Sequence, residues 1–537
     1  MDARVATGDR LPLAGLAAAV KDNIDVAGMP TTAGAASYSY LPEQDATSVA
    51  RLRAAGAVVL GKTNLDQFAT GLAGTRSPYG VVRNAWDPAR ISGGSSSGSA
   101  VAVALGLADI ALGTDTAGSG RVPAALNGII GVKPTRGTIP ATGVVPACRT
   151  LDCVTVFART LDLARRTVAE LSGPDGRDPL ARAFGGPWCP TPADGDGRGP
   201  RVAVPLPSQL QDLADGWADA FATAVEQLRL TGAEIVPIDI QPMLDAAALL
   251  YGGAFVAERY VAVGAHIRAH TDLIGTDLDP TVAQIILDAA MPTAANYFAD
   301  RERLDFLAAR AAEAMSGLNA LLTPTTTAHP TIAEVQADPV AVNSRLGRYT
   351  SFANLLDMAA VAVPAGTVGG LPFGVMFTGP AGSDDRLAQI AARCGQAPVD
   401  LLVIGAHLSG QPLNHELLAA GGTLIGQVTT ADRYRLFALD TRPPKPGLVR
   451  VGDDYSRCTP GASIPGEVWR LPAVGFARFM ADLTAPMAIG LVQLDDGRHV
   501  LGFLCEPAAV TGAQDITSYG SWRAWRTRSV TAPPATR

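Results

Sequence analysis

Two serine-bearing glycine loops lie close together in this sequence, and each has residue types that suit nucleophilic catalysis. The first, GGSSSGSA, runs from Gly93 to Ala100, and the second, DTAGSGR, runs from Asp115 to Arg121. A serine hydroxyl becomes a good nucleophile only when a neighbouring base takes its proton, and histidine is the familiar base. Because the chain has no histidine before His266, we expect a different base to serve these serines.

Lys21 is the candidate base. It stands in the run Val20-Lys21-Asp22-Asn23, where an apolar stretch ends and a turn begins. A desolvated lysine loses its proton near neutral pH and can then accept one from a hydroxyl. Taken alone, such a lysine is more often the solvated end of a strand, and GGSSSGSA is more often a flexible turn or a phosphate-binding loop. The joint occurrence of the three segments favours catalysis.

The second loop also has the features of an oxyanion-binding site. Glycines allow backbone N–H groups to point inward, and the start of a helix favours negative charge. We expect the N–H groups of Thr116, Ala117, Gly118 and Ser119 to surround the oxygen that becomes negative when Ser119 attacks a carbonyl. Each such donor lowers the barrier by roughly 3 kcal/mol.

The motifs VKDNIDVAGMPTTAG, GGSSSGSA and DTAGSGRVPAA together resemble those of the amidase signature family, over roughly residues 11 to 395. The resemblance implies amide hydrolysis by a Ser, cis-Ser, Lys triad, with Ser119 as the nucleophile, Lys21 as the base and Ser95 as the proton carrier between them. The family commonly has glycine where this chain has Ser97 and Ala117. Both replacements are small, although the Ser97 hydroxyl could compete for a hydrogen bond near the proton relay.

Candidate substrate-binding residues occur in LYGGAFVAERY, from Leu250 to Tyr260. Tyr251 and Arg259 are eight residues apart, which on a continuous helix means about 80° around the axis and two turns along it. Such a pair could bind a small anion, because arginine offers a bidentate fork to a carboxylate. The alternative is a surface ion pair of Arg259 with a glutamate beside a core tyrosine, and the spacing alone favours this alternative slightly.

A further resemblance covers the C-terminal part of the chain. The segments VIGAHLSGQPLN, YRLFAL and IPGEVW, with NLDQFATGL nearer the N-terminus, are similar to allophanate hydrolases, a branch of the same family. This resemblance implies hydrolysis of allophanate (urea-1-carboxylate) through N-carboxycarbamate to ammonia and carbon dioxide. It also implies that Tyr251, Arg259 and a glycine assigned to Gly71 bind the substrate.

The same resemblance implies a γ-glutamyl cyclotransferase-like fold for the C-terminal domain, which has been linked to decarboxylation of the first product. His407 is the candidate base there, since it follows an apolar strand and precedes a glycine-containing turn. A histidine that only caps a strand is an equally good interpretation of this residue.

Apolar runs, helical patterns and glycines alternate over the first 160 residues, which is typical of an α/β fold. We expect a mixed central sheet covered by helices on both faces in an amidase signature domain over 1–395, a β-rich allophanate hydrolase domain over 398–526 and a disordered tail over 527–537. The family usually has some dozens of helical residues before the catalytic lysine, whereas Lys21 follows only 20 residues here. We therefore expect that this helical part is truncated.

Composition excludes several classes of protein. A formal net charge of -7 and the lack of basic blocks argue against a nucleic-acid partner, and the lack of a long uncharged apolar stretch argues against a membrane span. Six scattered cysteines favour a reducing cytoplasm. We expect a small anionic amide as substrate and no metal or other cofactor. The family resemblance adds a homodimer and a functional link to a urea carboxylase or to s-triazine degradation enzymes.

Two other functions stay open on the sequence. One is a general amidase or the A-type subunit of an amidotransferase, which needs partner subunits and lacks a C-terminal domain of this kind. The other is a catalytically silent binding scaffold, against which the presence of Lys21, Ser95 and Ser119 speaks.

Overall fold

The computed structural model describes residues 11–183, 199–394, 399–451, 460–471 and 473–531 of the 537. The chain divides into two compact units, Met1–Gly395 and Gln396–Arg537. Within the described residues no single helix has the length and apolar character needed to cross a membrane, and one bent pair, Gln241–Gly252 with Ala254–Ala269, meets that requirement by length and composition only.

The first unit is built on one mixed sheet of ten strands. The strands are β1 (Ala17–Lys21), β2 (Val58–Thr63), β3 (Ile110–Asp115), β4 (Ile130–Lys133), β5 (Cys153–Ala158), β6 (Arg201–Pro205), β7 (Glu234–Ile238), β8 (Ala320–Pro324), β9 (Met358–Val368) and β10 (Leu371–Pro380). They lie in the order β2-β1-β3-β5-β4-β9-β10-β8-β6-β7. β1 is parallel to β2 and β3, and β6 is parallel to β7 and β8, whereas the pairs between them are antiparallel. The predicted mixed sheet is confirmed.

Thirteen α-helices of the described residues belong to this unit. They are α1 (Thr47–Ala54), α2 (Ser97–Ala104), α3 (Val122–Asn127), α4 (Leu161–Leu171), α5 (Trp217–Leu230), α6 (Gln241–Gly252), α7 (Ala257–Ala269), α8 (Pro280–Asp288), α9 (Ala294–Ala314), α10 (Ile332–Ala337), α11 (Ala341–Leu346), α12 (Ser351–Leu355) and α13 (Asp384–Ala391).

Helices cover both faces of the sheet. Successive strand residues point to opposite faces, so alternate residues of one strand pack against different helices. In β3, Ile110 and Leu112 pack into a large apolar cluster with residues of α1, α4, α5 and α13. Ala111, between them, packs into a separate cluster of mostly small side chains that includes residues of α2. The small side chains allow α2 to approach the sheet closely, and α2 begins within the first serine loop.

The second unit is β-rich, as predicted. Its elements are β11 (Val399–Val403), α14 (Asn414–Ala419), β12 (Thr423–Thr429), β13 (Tyr434–Leu439), β14 (Lys445–Arg450), β15 (Pro465–Leu471), α15 (Ala473–Ala481), β16 (Met487–Gln493), β17 (His499–Cys505), β18 (Gln514–Asp515) and α16 (Trp522–Thr531). Five strands form a sheet in the order β12-β15-β11-β17-β16, and three form a second sheet in the order β14-β13-β18.

The disordered tail predicted over 527–537 is corrected in its first part, because α16 continues to Thr531. The helix is attached to the second unit near its start. Trp522 is buried in the apolar core of that unit, and Arg523 forms an ion pair with the buried Glu467. Residues 532–537 lie outside the described part of the chain.

Candidate active site

The first serine loop enters the site through a cis peptide bond between Gly94 and Ser95. Ser95 is fully buried. The next serines have structural roles, because Ser96 Oγ donates to the Thr114 carbonyl at 3.1 Å and Ser99 Oγ donates to the Leu112 carbonyl at 2.9 Å. These two bonds attach α2 to β3 and thereby fix the loop that carries Ser95.

Ser97 does not compete with the proton relay, contrary to the expectation. Its hydroxyl donates to the carbonyl of Asn64 at 3.4 Å. The Ser97 hydroxyl is therefore bonded to a backbone carbonyl, and no hydrogen bond between described residues joins it to Lys21, Ser95 or Ser119.

Lys21 is the last residue of β1, and its side chain is fully buried. Its Nζ lies 2.8 Å from Ser95 Oγ and 2.7 Å from Thr114 Oγ1. Burial lowers the pKa of Lys21 to about 7, although the carboxylates of Asp66, Asp152 and Asp115 act in the opposite direction. The interpretation of Lys21 as a solvated strand end is therefore wrong, and near neutral pH a large fraction of this lysine is the neutral amine.

Asp66 is a buried site residue that the sequence reasoning missed. Its carboxylate accepts hydrogen bonds from the N–H groups of Gly74 (3.0 Å) and Arg76 (2.9 Å), and its own N–H donates to the Ser95 carbonyl at 3.1 Å. A Cβ atom on Gly94 would lie 2.1 Å from Asp66 Oδ2, and one on Gly71 would lie 2.6 Å from it. Asp66 thus supports the Ser95 segment, and the glycines of NLDQFATGL and GGSSSGSA make room for it.

The second serine loop is organised around Asp115, the last residue of β3. A buried ion pair joins Asp115 to Arg121, whose Nε and Nη2 lie 2.9 and 2.8 Å from the two carboxylate oxygens. Burial alone would raise the pKa of Asp115, but the Arg121 guanidinium lowers it below its ordinary value. The same carboxylate accepts the N–H groups of Gly118 and Gly120, each at 2.9 Å.

The predicted set of oxyanion donors needs one correction, because the Gly118 N–H already donates to Asp115. In the described part of the chain, the N–H groups of Thr116, Ala117 and Ser119 have no hydrogen-bond partner. Ser119 is almost fully buried, and no hydrogen bond between described residues involves its hydroxyl or joins it to Ser95. Three of the four predicted donors are therefore available around Ser119.

Tyr251 and Arg259 meet, but not along one helix as the sequence analysis assumed. Tyr251 lies in α6 and Arg259 in α7, and the two helical segments are bent by 49° at the Gly252-Gly253 pair. Because of this bend, Arg259 Nη2 donates to the Tyr251 hydroxyl at 2.9 Å.

Arg259 is buried, so its interpretation as part of a surface ion pair is wrong. Its Nη1 donates to Thr70 Oγ1 at 2.8 Å, which brings the guanidinium next to Gly71 along the chain. Among the described residues no carboxylate lies within ion-pair distance of Arg259, and its buried Nε has no partner. The neighbouring Glu258 instead accepts a hydrogen bond from the Thr150 N–H at 2.8 Å.

Tyr251 lines two cavities, of about 690 and 610 Å³. Asn343 and Ser344 line both of them, and Ser351 lines the smaller one. Because Ser351 Oγ also donates to the Ala117 carbonyl at 3.3 Å, the smaller cavity reaches the residues that support the second serine loop.

In the second unit, His407 follows β11 and is held on three sides. Its Nε2 lies 2.9 Å from Glu416 Oε2, its ring stacks on Phe503 at 5.1 Å between centroids, and Phe479 meets it edge-on. Burial lowers the pKa of His407, while Glu416 acts in the opposite direction. His407 and Lys445 line a cavity of about 20 Å³, which is room for about one water molecule.

The glutamate of the IPGEVW segment accepts several hydrogen bonds inside the same unit. Glu467 is buried and accepts hydrogen bonds from the Ser409 N–H (2.8 Å), the Ser409 hydroxyl (2.9 Å) and Trp469 Nε1 (3.1 Å). The Glu and Trp of this segment are therefore partners of each other.

Comparison with known proteins agrees with both resemblances. Residues 1–388 match the Amidase family, and residues 399–527 match the Allophanate hydrolase C-terminal domain. The chain is 41% identical to the urea amidolyase of Lachancea kluyveri and 40% identical to that of Saccharomyces cerevisiae, in each case over 96% of this chain and 30% of the relative. The chain thus spans less than a third of the length of these relatives.

A solved structure of Kluyveromyces lactis allophanate hydrolase resembles the chain as a whole. It is 39% identical, covers 97% of this chain and 89% of its own, and superimposes with a TM-score of 0.68. The similarity drawn from the motifs is confirmed by these matches.

Proposed function

The chain belongs to the amidase family and carries an allophanate hydrolase C-terminal domain, and on this premise we propose that this amidohydrolase hydrolyses allophanate to ammonia and carbon dioxide. The observation that carries the proposal is Arg259, a buried guanidinium that has no carboxylate partner among the described residues. A buried unpaired charge costs several kcal/mol, and an anionic ligand supplies the missing partner. Allophanate joins a carboxylate to a small amide, so it suits both Arg259 and an amide-cleaving serine.

In the proposed first step Ser119 is the nucleophile. Its proton passes through Ser95 to the neutral amine of Lys21, and Ser119 Oγ forms a bond to the terminal amide carbon of allophanate. The N–H groups of Thr116, Ala117 and Ser119 stabilise the oxyanion. When the intermediate collapses, the C–N bond breaks, the proton returns through Ser95 to the leaving nitrogen, and ammonia departs.

The second step releases the acyl group. Water attacks the Ser119 ester while its proton passes to Lys21, and the C–O bond to Ser119 breaks with return of the proton to Ser119 Oγ. The product is N-carboxycarbamate, which takes up a proton and loses carbon dioxide to give carbamate. Carbamate takes up a second proton and breaks down to carbon dioxide and ammonia. The near-neutral pKa of Lys21 supports this scheme, because the same amine must take up and give back a proton in each step.

We propose that His407 acts in the decarboxylation of N-carboxycarbamate. Its position beside Lys445 supports this role, since a cation suits a dianionic substrate, and its contact with Glu416 fixes the orientation of the ring. The interpretation of His407 as only a strand cap accounts for neither neighbour.

Ammonia release from allophanate by the purified full chain tests the proposal. We expect Ser119→Ala to lose more than about 10³-fold in kcat. Ser97→Ala is the matched control, because the Ser97 hydroxyl bonds to the Asn64 carbonyl, and its kcat should stay within about twofold of wild type. A Ser119→Ala protein with a normal rate would refute the role of Ser119. Hydrolysis of malonamate and simple amides but not of allophanate would favour a general amidase.

A further inference from the structure

We propose that Thr350 and Asn354 are positioning residues that hold the oxyanion loop, defined here as Asp115 to Ser119, in its productive conformation. The inference rests on the proposed role of Ser119 and extends it to a segment of chain more than 200 residues downstream. Thr350 directly precedes α12 and Asn354 lies within it. Both side chains are buried.

The two residues bind backbone carbonyls of the oxyanion loop. Thr350 Oγ1 donates to the Ala117 carbonyl at 2.7 Å, and Ser351 Oγ donates to the same oxygen at 3.3 Å. Asn354 Nδ2 donates to the Asp115 carbonyl at 2.8 Å. Two carbonyls of the loop are therefore bound by side chains of one short helical segment.

Fixing a carbonyl also fixes the N–H group of the next residue, because the two point in opposite directions across a planar trans peptide. The bond from Asn354 to the Asp115 carbonyl thus turns the Thr116 N–H away from α12. The Gly118 carbonyl accepts the N–H groups of Arg121 (2.9 Å) and Val122 (2.8 Å), which sets the direction of the Ser119 N–H in the same way.

The bonds to the Ala117 carbonyl fix the direction of the Gly118 N–H, which is not one of the free donors. When Thr350 and Ser351 bind this carbonyl, the Gly118 N–H points to the other side, where it meets Asp115 Oδ1 at 2.9 Å. The peptide between Ala117 and Gly118 is thus held at both ends. A rotation of this peptide would break the bonds at both ends and point the Ala117 carbonyl at the Asp115 carboxylate, so these bonds also hold the neighbouring Ala117 and Ser119 N–H groups in place.

Thr350 and Asn354 belong to the same hydrogen-bond network as the buried ion pair of the loop. Arg121, which pairs with Asp115, donates from Nη2 to Asn354 Oδ1 at 2.8 Å and from Nη1 to the Thr350 carbonyl at 2.9 Å. A Cβ atom on Gly118 would lie 2.3 Å from Thr350 Oγ1. The glycine therefore allows the close approach of Thr350 to the loop.

Thr350→Val in the full chain tests the proposal, because valine keeps the shape of threonine and removes only the hydroxyl. We expect kcat to fall about 10- to 100-fold, since one lost oxyanion donor costs about 10²- to 10³-fold and the loop is here misaligned rather than lost. KM should change less than about threefold, and Thr350→Ser should restore kcat to within about threefold of wild type.

Thr326→Val is the matched control. Thr326 is equally buried, and its hydroxyl donates to the Leu346 carbonyl at 3.0 Å rather than to a carbonyl of the oxyanion loop. It should lose a similar amount of thermal stability and keep kcat within about twofold. If Thr350→Val does not fold, Ser351→Ala, which removes the longer bond to the same carbonyl, should lower kcat about threefold with an unchanged KM.

The rate at which a fluorophosphonate labels Ser119 should fall in parallel, and this readout does not depend on which amide is the substrate. Loss of labelling in Ser119→Ala alone, with normal kcat and labelling in every folded Thr350 and Ser351 variant, overturns the positioning role and leaves the proposed function intact. An equal loss of kcat in Thr326→Val and Thr350→Val also overturns it. Normal activity of Ser119→Ala instead overturns the proposed function itself.

Discussion

Replacing Thr114 by valine tests the proton relay through the pH dependence of the reaction. Thr114 Oγ1 lies 2.7 Å from Lys21 Nζ, so it accepts a hydrogen bond from that group. A hydrogen bond from an ammonium is worth about 1.5–3 kcal/mol and one from a neutral group about 0.5–1.5 kcal/mol. The substitution should therefore cost the protonated form about 1 kcal/mol more than the neutral form.

This difference predicts the size and the sign of the shift. At 1.36 kcal/mol for each pKa unit, the pKa of Lys21, which burial holds at about 7 in the wild type, should fall by about 0.7 units. In the proposed mechanism the neutral amine is the base, so activity should rise with pH through this pKa. The acid limb of the kcat/KM profile should therefore lie near pH 7 in the wild type and at lower pH in Thr114→Val.

Ammonia release measured from about pH 5 to about pH 9 locates the acid limb, and the pH dependence of Ser119 labelling by a fluorophosphonate locates it without the substrate. Thr114→Ser keeps the hydroxyl and should keep the wild-type profile. An acid limb that stays in place in Thr114→Val, or that moves to higher pH, refutes the assignment of the limb to Lys21.

Three further substitutions probe other parts of the chain. Arg259→Lys loses the bidentate fork and should raise KM for allophanate about 10- to 100-fold. It should change kcat/KM for a neutral amide less than about threefold. Equal losses for both substrates would contradict the recognition of an anion by Arg259. His407→Asn should leave the first ammonia release within about twofold of wild type and make carbon dioxide release lag behind it, whereas release in step would contradict a role in decarboxylation. Burial alone would raise the pKa of Glu467, but the Ser409 N–H, Trp469 and Arg523 lower it. The Glu467 carboxylate therefore stabilises the fold above the ordinary pKa of glutamate, and this stabilisation is lost as the pH falls through the lowered pKa. Glu467→Gln should therefore lower Tm near neutral pH and weaken the fall of Tm in acid, and an unchanged Tm would contradict the structural role of this glutamate.

The chemistry of the first unit could be predicted from sequence because it depends on residue types in local segments. GGSSSGSA and DTAGSGR each combine serine with glycine within a few residues, and the absence of an early histidine left Lys21 as the candidate base. The alternation of apolar runs and helical patterns also predicted the α/β core, since the central strands β3, β4, β5 and β8 are buried on both faces. These features are local, so the order of residues is enough to find them.

Other predictions failed where the three-dimensional course of the backbone decides the outcome. The Tyr251 and Arg259 side chains meet because the two helical segments that carry them are bent by 49°. The prediction had placed both residues on one continuous helix. The Gly118 N–H was predicted as a free donor, but the carboxylate of Asp115 binds it. Asp66 was missed because nothing in its local sequence indicates that Gly71 and Gly94 lie against its carboxylate.

The sequence by itself determined which groups are available for amide hydrolysis and in which segments they lie. The tertiary structure decided their chemical state and direction: burial brings the pKa of Lys21 to about 7, and Thr350 and Asn354 orient the oxyanion loop from more than 200 residues away. The physical reason is that desolvation and hydrogen-bond direction depend on every atom packed around a group, and most of those atoms come from distant parts of the chain.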